Sequence, residues 1–177
     1  MSVDPAAPIP DDKDWTWVIT QPCPDCGFDA TELDVAEIPA RTRENMAAFA
    51  AALAQPGAAD RPAPTVWAPL EYACHVRDVC RLFEQRLRLM LTQDDPTFVN
   101  WDQDETALAE RYWEQDPVTV ADECIAAAET IAASFEAVRG DQWQRPGRRS
   151  NGSVFTVDTF GRYFLHDLVH HRHDINA

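Results

Sequence analysis

Five histidines are the residues of this 177-residue chain best suited to chemistry, and they fall in two places. His75 lies within ACHVRDVC, and the other four crowd into HDLVHHRHD, residues 166 to 174. Side chains four apart on a helix share one face, so His166 and His170 can offer two imidazoles to one point. Such a pair is half a site for a borderline cation such as zinc, nickel or iron. The third ligand must come from another element, and His75 is the histidine available. It shares a helical stripe with Tyr72, Val79 and Phe83, an apolar face on which a histidine needs a reason. The expected metal ligands are therefore His75, His166 and His170. His173, seven residues beyond His166, lies on nearly the same face as a candidate pocket residue or proton shuttle. His171 is turned away from His170. The blander readings are a satisfied core histidine at position 75 and a favourable charge cluster near a helix C-terminus.

Imidazole ligands usually donate their second N–H to a carboxylate or carbonyl. Asp167 and Asp174, with Glu71 and Asp78, lie close enough in sequence to serve, and a solvated surface acid is the competing reading for each. Arg148 and Arg149 stand just before the last helical stretch, where they could meet an anionic substrate. Cys23 and Cys26, in PCPDCGFD, resemble half of a zinc knuckle whose other half is missing. Three readings stay open for them: a shared metal site, a redox-active or disulfide pair, or a turn whose thiols do little.

The elements that must position these groups are mostly helical. Residues 1–14 are rich in Pro and Asp, as expected of a mobile terminus. Trp15 to Asp29 is short, aromatic and turn-rich, a strap rather than a domain. From there Asp34 can cap an opening turn, Pro39 suits a first helical turn, and Met46, Phe49 and Leu53 form a stripe that ends at Pro56-Gly57. A second helix is expected from about Trp67 to Thr92, with Tyr72, Val76, Val79, Phe83, Leu87 and Met90 on its buried face. A short helix is expected over 105–113, a third long one from Pro117 to Val138, and a last from Thr156 or Val157 to Ile175. A loop with a small hairpin precedes that last helix. The expected fold is all-α: an up-and-down four-helix bundle over residues 31–177, with an irregular extension over 1–30 carrying the Cys-x-x-Cys.

The totals narrow the partners. A net charge of −15, from 15 basic and 30 acidic residues, argues against nucleic acid and anionic membranes. No stretch approaches the roughly 20 apolar residues of a membrane span, and the N-terminus does not read as a secretory signal. The cytoplasm is the expected compartment. Five scattered cysteines do not make a disulfide framework. A small molecule is the expected partner, and exposed apolar helix faces leave room for a homodimer.

Two motifs carry a resemblance. Trp67-Ala68-Pro69-Leu70-Glu71-Tyr72-Ala73-Cys74-His75 and Tyr163-Phe164-Leu165-His166-Asp167-Leu168-Val169-His170-His171 are similar to those of the DinB-like superfamily of metal-binding four-helix proteins. That group includes mycothiol-dependent maleylpyruvate isomerase and bacillithiol transferases. The resemblance covers roughly residues 31 to 177, and the strap lies outside it. It implies one divalent metal, zinc or nickel with iron as a further choice, on His75, His166 and His170, with positions left for water or substrate. It also implies a low-molecular-weight thiol whose thiolate attacks a small electrophile, in a thiol-dependent transferase or a hydrolase. The alternatives are a non-catalytic metal or small-molecule binding protein of stress response, and a histidine-rich bundle with no physiological metal.

Overall fold

The structure, a computed structural model, describes residues 5–10 and 13–177. The expectation of a mobile terminus over 1–14 lies outside the described residues at 1–4, 11 and 12. Of its described part, the Ile9 amide donates to the Thr65 carbonyl (3.3 Å) and the Ala6 carbonyl accepts from Arg61.

Four long helices make the body: α1 (Ile38–Leu53), α2 (Pro69–Thr92), α4 (Pro117–Glu136) and α5 (Val157–Asp174), with a short α3 (Gln103–Ala109) between α2 and α4. Each start has a local cause. Proline occupies the first turn of α1, α2 and α4, where a missing N–H costs nothing. Asp116 accepts from the Thr119 amide (2.9 Å), and Thr156 does the same for the Thr159 amide (3.2 Å). Asp34 caps a 3-10 turn, Val35–Glu37, that leads into α1. The expected helix over 105–113 is divided: α3 ends at Ala109, Arg111 takes a left-handed φ of 48°, and a 3-10 turn, Tyr112–Glu114, follows.

α4 packs on both α1 and α2, and α5 packs on the same two, so neighbours in space are not simply neighbours in sequence. The stripe predicted for α2 is buried from Val76 to Met90, with Tyr72 half-buried, and it is joined by Phe49 and Met46 from α1, Ile131 and Phe135 from α4, and Phe160 and Phe164 from α5. Phe160 stacks on Phe83 (ring centroids 4.6 Å apart). No helix among the described residues is long and apolar enough to cross a membrane.

The hairpin before α5 belongs to a small three-stranded sheet. β2 (Pro146–Arg149) and β3 (Val154–Thr156) pair antiparallel, with Gly147 opposite Phe155. β1 (Thr97–Phe98), which was not anticipated, runs parallel to β2. Gly147 is there because nothing larger fits: a Cβ would lie 2.6 Å from Phe98 Cζ and 2.7 Å from Met90 Cγ. Both neighbours are buried, so Gly147→Ala is expected to cost about 1–3 kcal/mol. Calorimetry should register a drop in Tm of roughly 2–12 °C; an unchanged Tm would mean that the sheet can lift off α2 freely.

The strap lies on this body through buried Val18, Cys23, Phe28 and Ala30. Arg162 of α5 holds its far end, donating to the carbonyls of Ala30 and Leu33.

Candidate metal centre

The expected trio of His75, His166 and His170 is divided between two places. Among the described residues, the donors that approach one another form one group of His75, Asp167 and His171 and another of Cys23, Cys26, His166 and His170; within each, the ligating atoms lie within 4.8 Å of one another.

The first group is built by α2 and α5. His75 is 1% exposed, and both its ring nitrogens are buried without a hydrogen-bond partner. Its Nε2 stands 3.7 Å from Asp167 Oδ2, beyond hydrogen-bond reach. The Trp101 ring stacks on it (5.7 Å, 14° between planes), the Trp67 ring lies 5.5 Å away, and the His171 ring meets it edge-on at 4.8 Å. His171 Nε2 is 3.4 Å from Asp167 Oδ1, and its Nδ1 is 2.8 Å from Asp174 Oδ2. Asp174 thus fixes which nitrogen of His171 faces Asp167 and His75, the role of a carboxylate behind a ligating imidazole.

Burial pushes His75 down to about 4, the His171 charge adding to the effect, so this imidazole is neutral and able to ligate. Burial also disfavours charge on His171, but Asp167 and Asp174 outweigh it and raise that group to about 9. Burial likewise opposes the Asp167 carboxylate, yet His171, His75 and His166 overcome it and hold it at about 2.

Two hollows open beside this group. One, of about 350 Å³, is lined by Lys13, Trp15, Tyr72, Arg149, Tyr163, Asp167 and His171 among others. The other, of about 110 Å³, has His75, Arg86, Trp101, Arg149, Tyr163 and Asp167 in its wall. Arg149 lines both, and among the described residues neither Arg86 nor Arg149 forms an ion pair with a carboxylate. Arg148, by contrast, is taken by Asp95 at 2.8 Å.

In the second group, Cys23 Sγ lies 3.6 Å from His170 Nδ1, and the Trp15 ring covers both His166 (5.5 Å) and His170 (4.9 Å). The two groups interleave along α5: positions 166 and 170 serve one, positions 167 and 171 the other.

The other sequence candidates fall elsewhere. His173 is exposed and lines neither hollow. Asp78 accepts from the Tyr112 hydroxyl (2.6 Å) and pairs with Arg77. Glu71 is buried against Arg61. The sequence reading assigns His171 no role, although the core stripe of α5 leads to it. Phe160, Phe164, Leu168, His171 and Ile175 follow one another at spacings of four, four, three and four, which carries the core stripe of α5 straight to His171.

The sequence pattern of the DinB superfamily matches residues 40–175, and the chain belongs to that superfamily. Among solved structures, YfiT from Bacillus subtilis matches the fold with a TM-score of 0.63 at 18% identity, over 78% of this chain and 78% of its own. YfiT is described as a probable metal-dependent hydrolase with an unusual four-helix bundle topology. No curated protein matches the sequence.

Proposed function

We propose that this chain is a metal-dependent enzyme acting on a small anionic electrophile, by hydrolysis or by transfer of a low-molecular-weight thiol, with His75, Asp167 and His171 as the metal ligands. The observation that carries the reading is His75: a buried imidazole with neither nitrogen satisfied, facing a carboxylate and a second imidazole beside a hollow. A buried polar group left so costs roughly 1–3 kcal/mol unless something binds it. Two imidazoles and one carboxylate suit zinc or iron(II), and three protein ligands leave room for a reacting partner. A cation held there supplies Lewis acidity and brings the deprotonation of a coordinated water or thiol toward neutral pH.

The chain's own residues do the rest. Asp167 and Asp174 favour a proton on both nitrogens of His171; the one on Nε2 gives way to a bound cation, while Asp174 keeps the one on Nδ1. Trp67 and Trp101 shield His75 from water. Arg149 and Arg86 are placed to hold a carboxylate or comparable anion, in a molecule whose net charge of −15 otherwise repels one. Tyr163 lies beside Arg149; burial raises its hydroxyl, which stays protonated as a donor to that same anion. Burial lifts the thiols of Cys74 and Cys124 to about 12 and pushes that of Cys80 well above its ordinary value, so the nucleophile comes from solvent or a cosubstrate.

The test is elemental mass spectrometry on tag-free protein beside His75→Ala, followed by a turnover screen of small carboxylate-bearing esters and thiol acceptors, with and without added thiol. One equivalent of metal missing from the variant, with turnover that needs it, is expected. A metal content in His75→Ala equal to that of the native protein would refute the ligand assignment. Metal bound as assigned, with no turnover and no perturbation by thiols, would favour the non-catalytic binding protein.

A further inference from the structure

We propose that Cys23, Cys26, His166 and His170 form a second, closed zinc site that rivets the strap to α5. Four potential ligands, two thiols and two imidazoles, have their donor atoms within 4.8 Å of one another. This is the number and type that a tetrahedral structural zinc takes, with Cys-x2-Cys and His-x3-His spacings.

The histidine side of the site is unexplained without a ligand. Positions 166 and 170 lie off the apolar stripe of α5, where the Trp15 and Phe28 rings of the strap lie against them. His166 is nevertheless 4% exposed, and its Nε2 is buried with no hydrogen-bond partner. A solvated surface histidine does not look like this.

The cysteine side is shaped for a cation. The Cys23 amide donates to the Phe28 carbonyl (2.8 Å), and the Gly27 amide donates to the Cys23 carbonyl (2.9 Å). Gly27 has φ +74°, a left-handed turn that glycine adopts without strain. Both sulfurs are thereby brought to one side of the turn, facing His166 and His170. A disulfide between the two cysteines would use this turn but leave Nε2 of His166 unanswered; a metal accounts for both halves.

The two centres differ in kind. Two thiolates and two neutral imidazoles cancel the charge of Zn²⁺ and complete its coordination, so this one holds structure and leaves no position for substrate. Thiolate ligands also select zinc over magnesium or calcium. Its consequence reaches the larger hollow, because Trp15 lies on both imidazoles and, with Lys13, lines that hollow. Fixing the strap fixes one wall of the substrate space.

The test uses full-length protein loaded with cobalt(II), with X-ray absorption at the zinc edge of the zinc-loaded protein beside it. Cobalt at this site is expected to give the intense thiolate charge-transfer band of a tetrahedral sulfur–nitrogen shell. The His75/Asp167/His171 group contains no sulfur and cannot produce that band, so the two readings fail separately. In Cys23→Ser/Cys26→Ser the band and one zinc equivalent should vanish; in His75→Ala both should remain. No thiolate band in the cobalt-loaded native protein, or a zinc shell without sulfur, would overturn the proposal without requiring any variant to fold. So would a band that survives the double serine variant, or a Cys23–Cys26 disulfide in the protein as isolated.

Discussion

Asp167→Asn is expected to weaken divalent-metal binding at the His75 centre by at least about a hundredfold, more than the ten- to hundredfold range for residues that only support a ligand. The carboxylate is the one negative charge among the three assigned ligands. Asparagine keeps its size and an oxygen in place but removes that charge, and with it most of the attraction for a cation. Asp174→Asn should cost about 10–100-fold, because Asp174 holds only the far nitrogen of His171. Competition against a chromophoric chelator measures both, and their order is the informative result. Equal losses, or a larger loss at 174, would mean that Asp167 supports the site instead of binding its metal.

Removing the guanidinium in Arg61→Ala should cost about 3–5 kcal/mol, the largest stability loss predicted here, because it strands a buried charge. Glu71 is 1% exposed, and Arg61 embraces its carboxylate from two nitrogens, the Nε contact being 2.7 Å. The same carboxylate accepts from the Ala68 amide at the start of α2 (2.9 Å). Arg61 also donates to the carbonyls of Ala6 and Pro64, tying two loops to the helix. Urea unfolding should show the loss, and thermal melting a fall of roughly 6–20 °C. Arg61→Ala/Glu71→Gln should recover much of it, since glutamine keeps an acceptor for Ala68 and needs no countercharge. If the double variant is no more stable than the single, the loss came from the loop contacts and not from the stranded carboxylate.

The helices were legible in the sequence because each carries its own start and stop: Pro39, Pro69 and Pro117 in first turns, Thr156 as a cap, and apolar residues at helical spacing between them. β1 was not legible, since two residues of strand exist only by pairing with β2. The depth of His75 could be read from its apolar neighbours. Histidine spacing alone does not choose between the two pairs on α5. An i, i+4 spacing fits 166/170 and 167/171 equally well, and the choice depends on how α5 is rotated toward α2. That rotation is written in Phe160, Phe164 and Leu168, which lead to His171 and put His166 on the strap side. The pairing of Cys23 and Cys26 with His166 and His170 joins residues about 140 apart, and no local pattern announces it.

The interleaving of the two groups on α5 bears on how the molecule can move. A helix gripped on one face cannot slide, but it can still roll about its axis to accommodate a guest. Here one face is engaged by α2 and the adjacent face, about a quarter-turn round, by the strap, so a roll that relieves one side strains the other. If the hollow takes the proposed substrate, adaptation to its shape falls to the segment carrying Asn100 and Trp101, which joins β1 to α3 and closes the smaller hollow over His75. Tolerance for varied substrates should accordingly follow the length and composition of that connection, while α5 behaves as a fixed spindle.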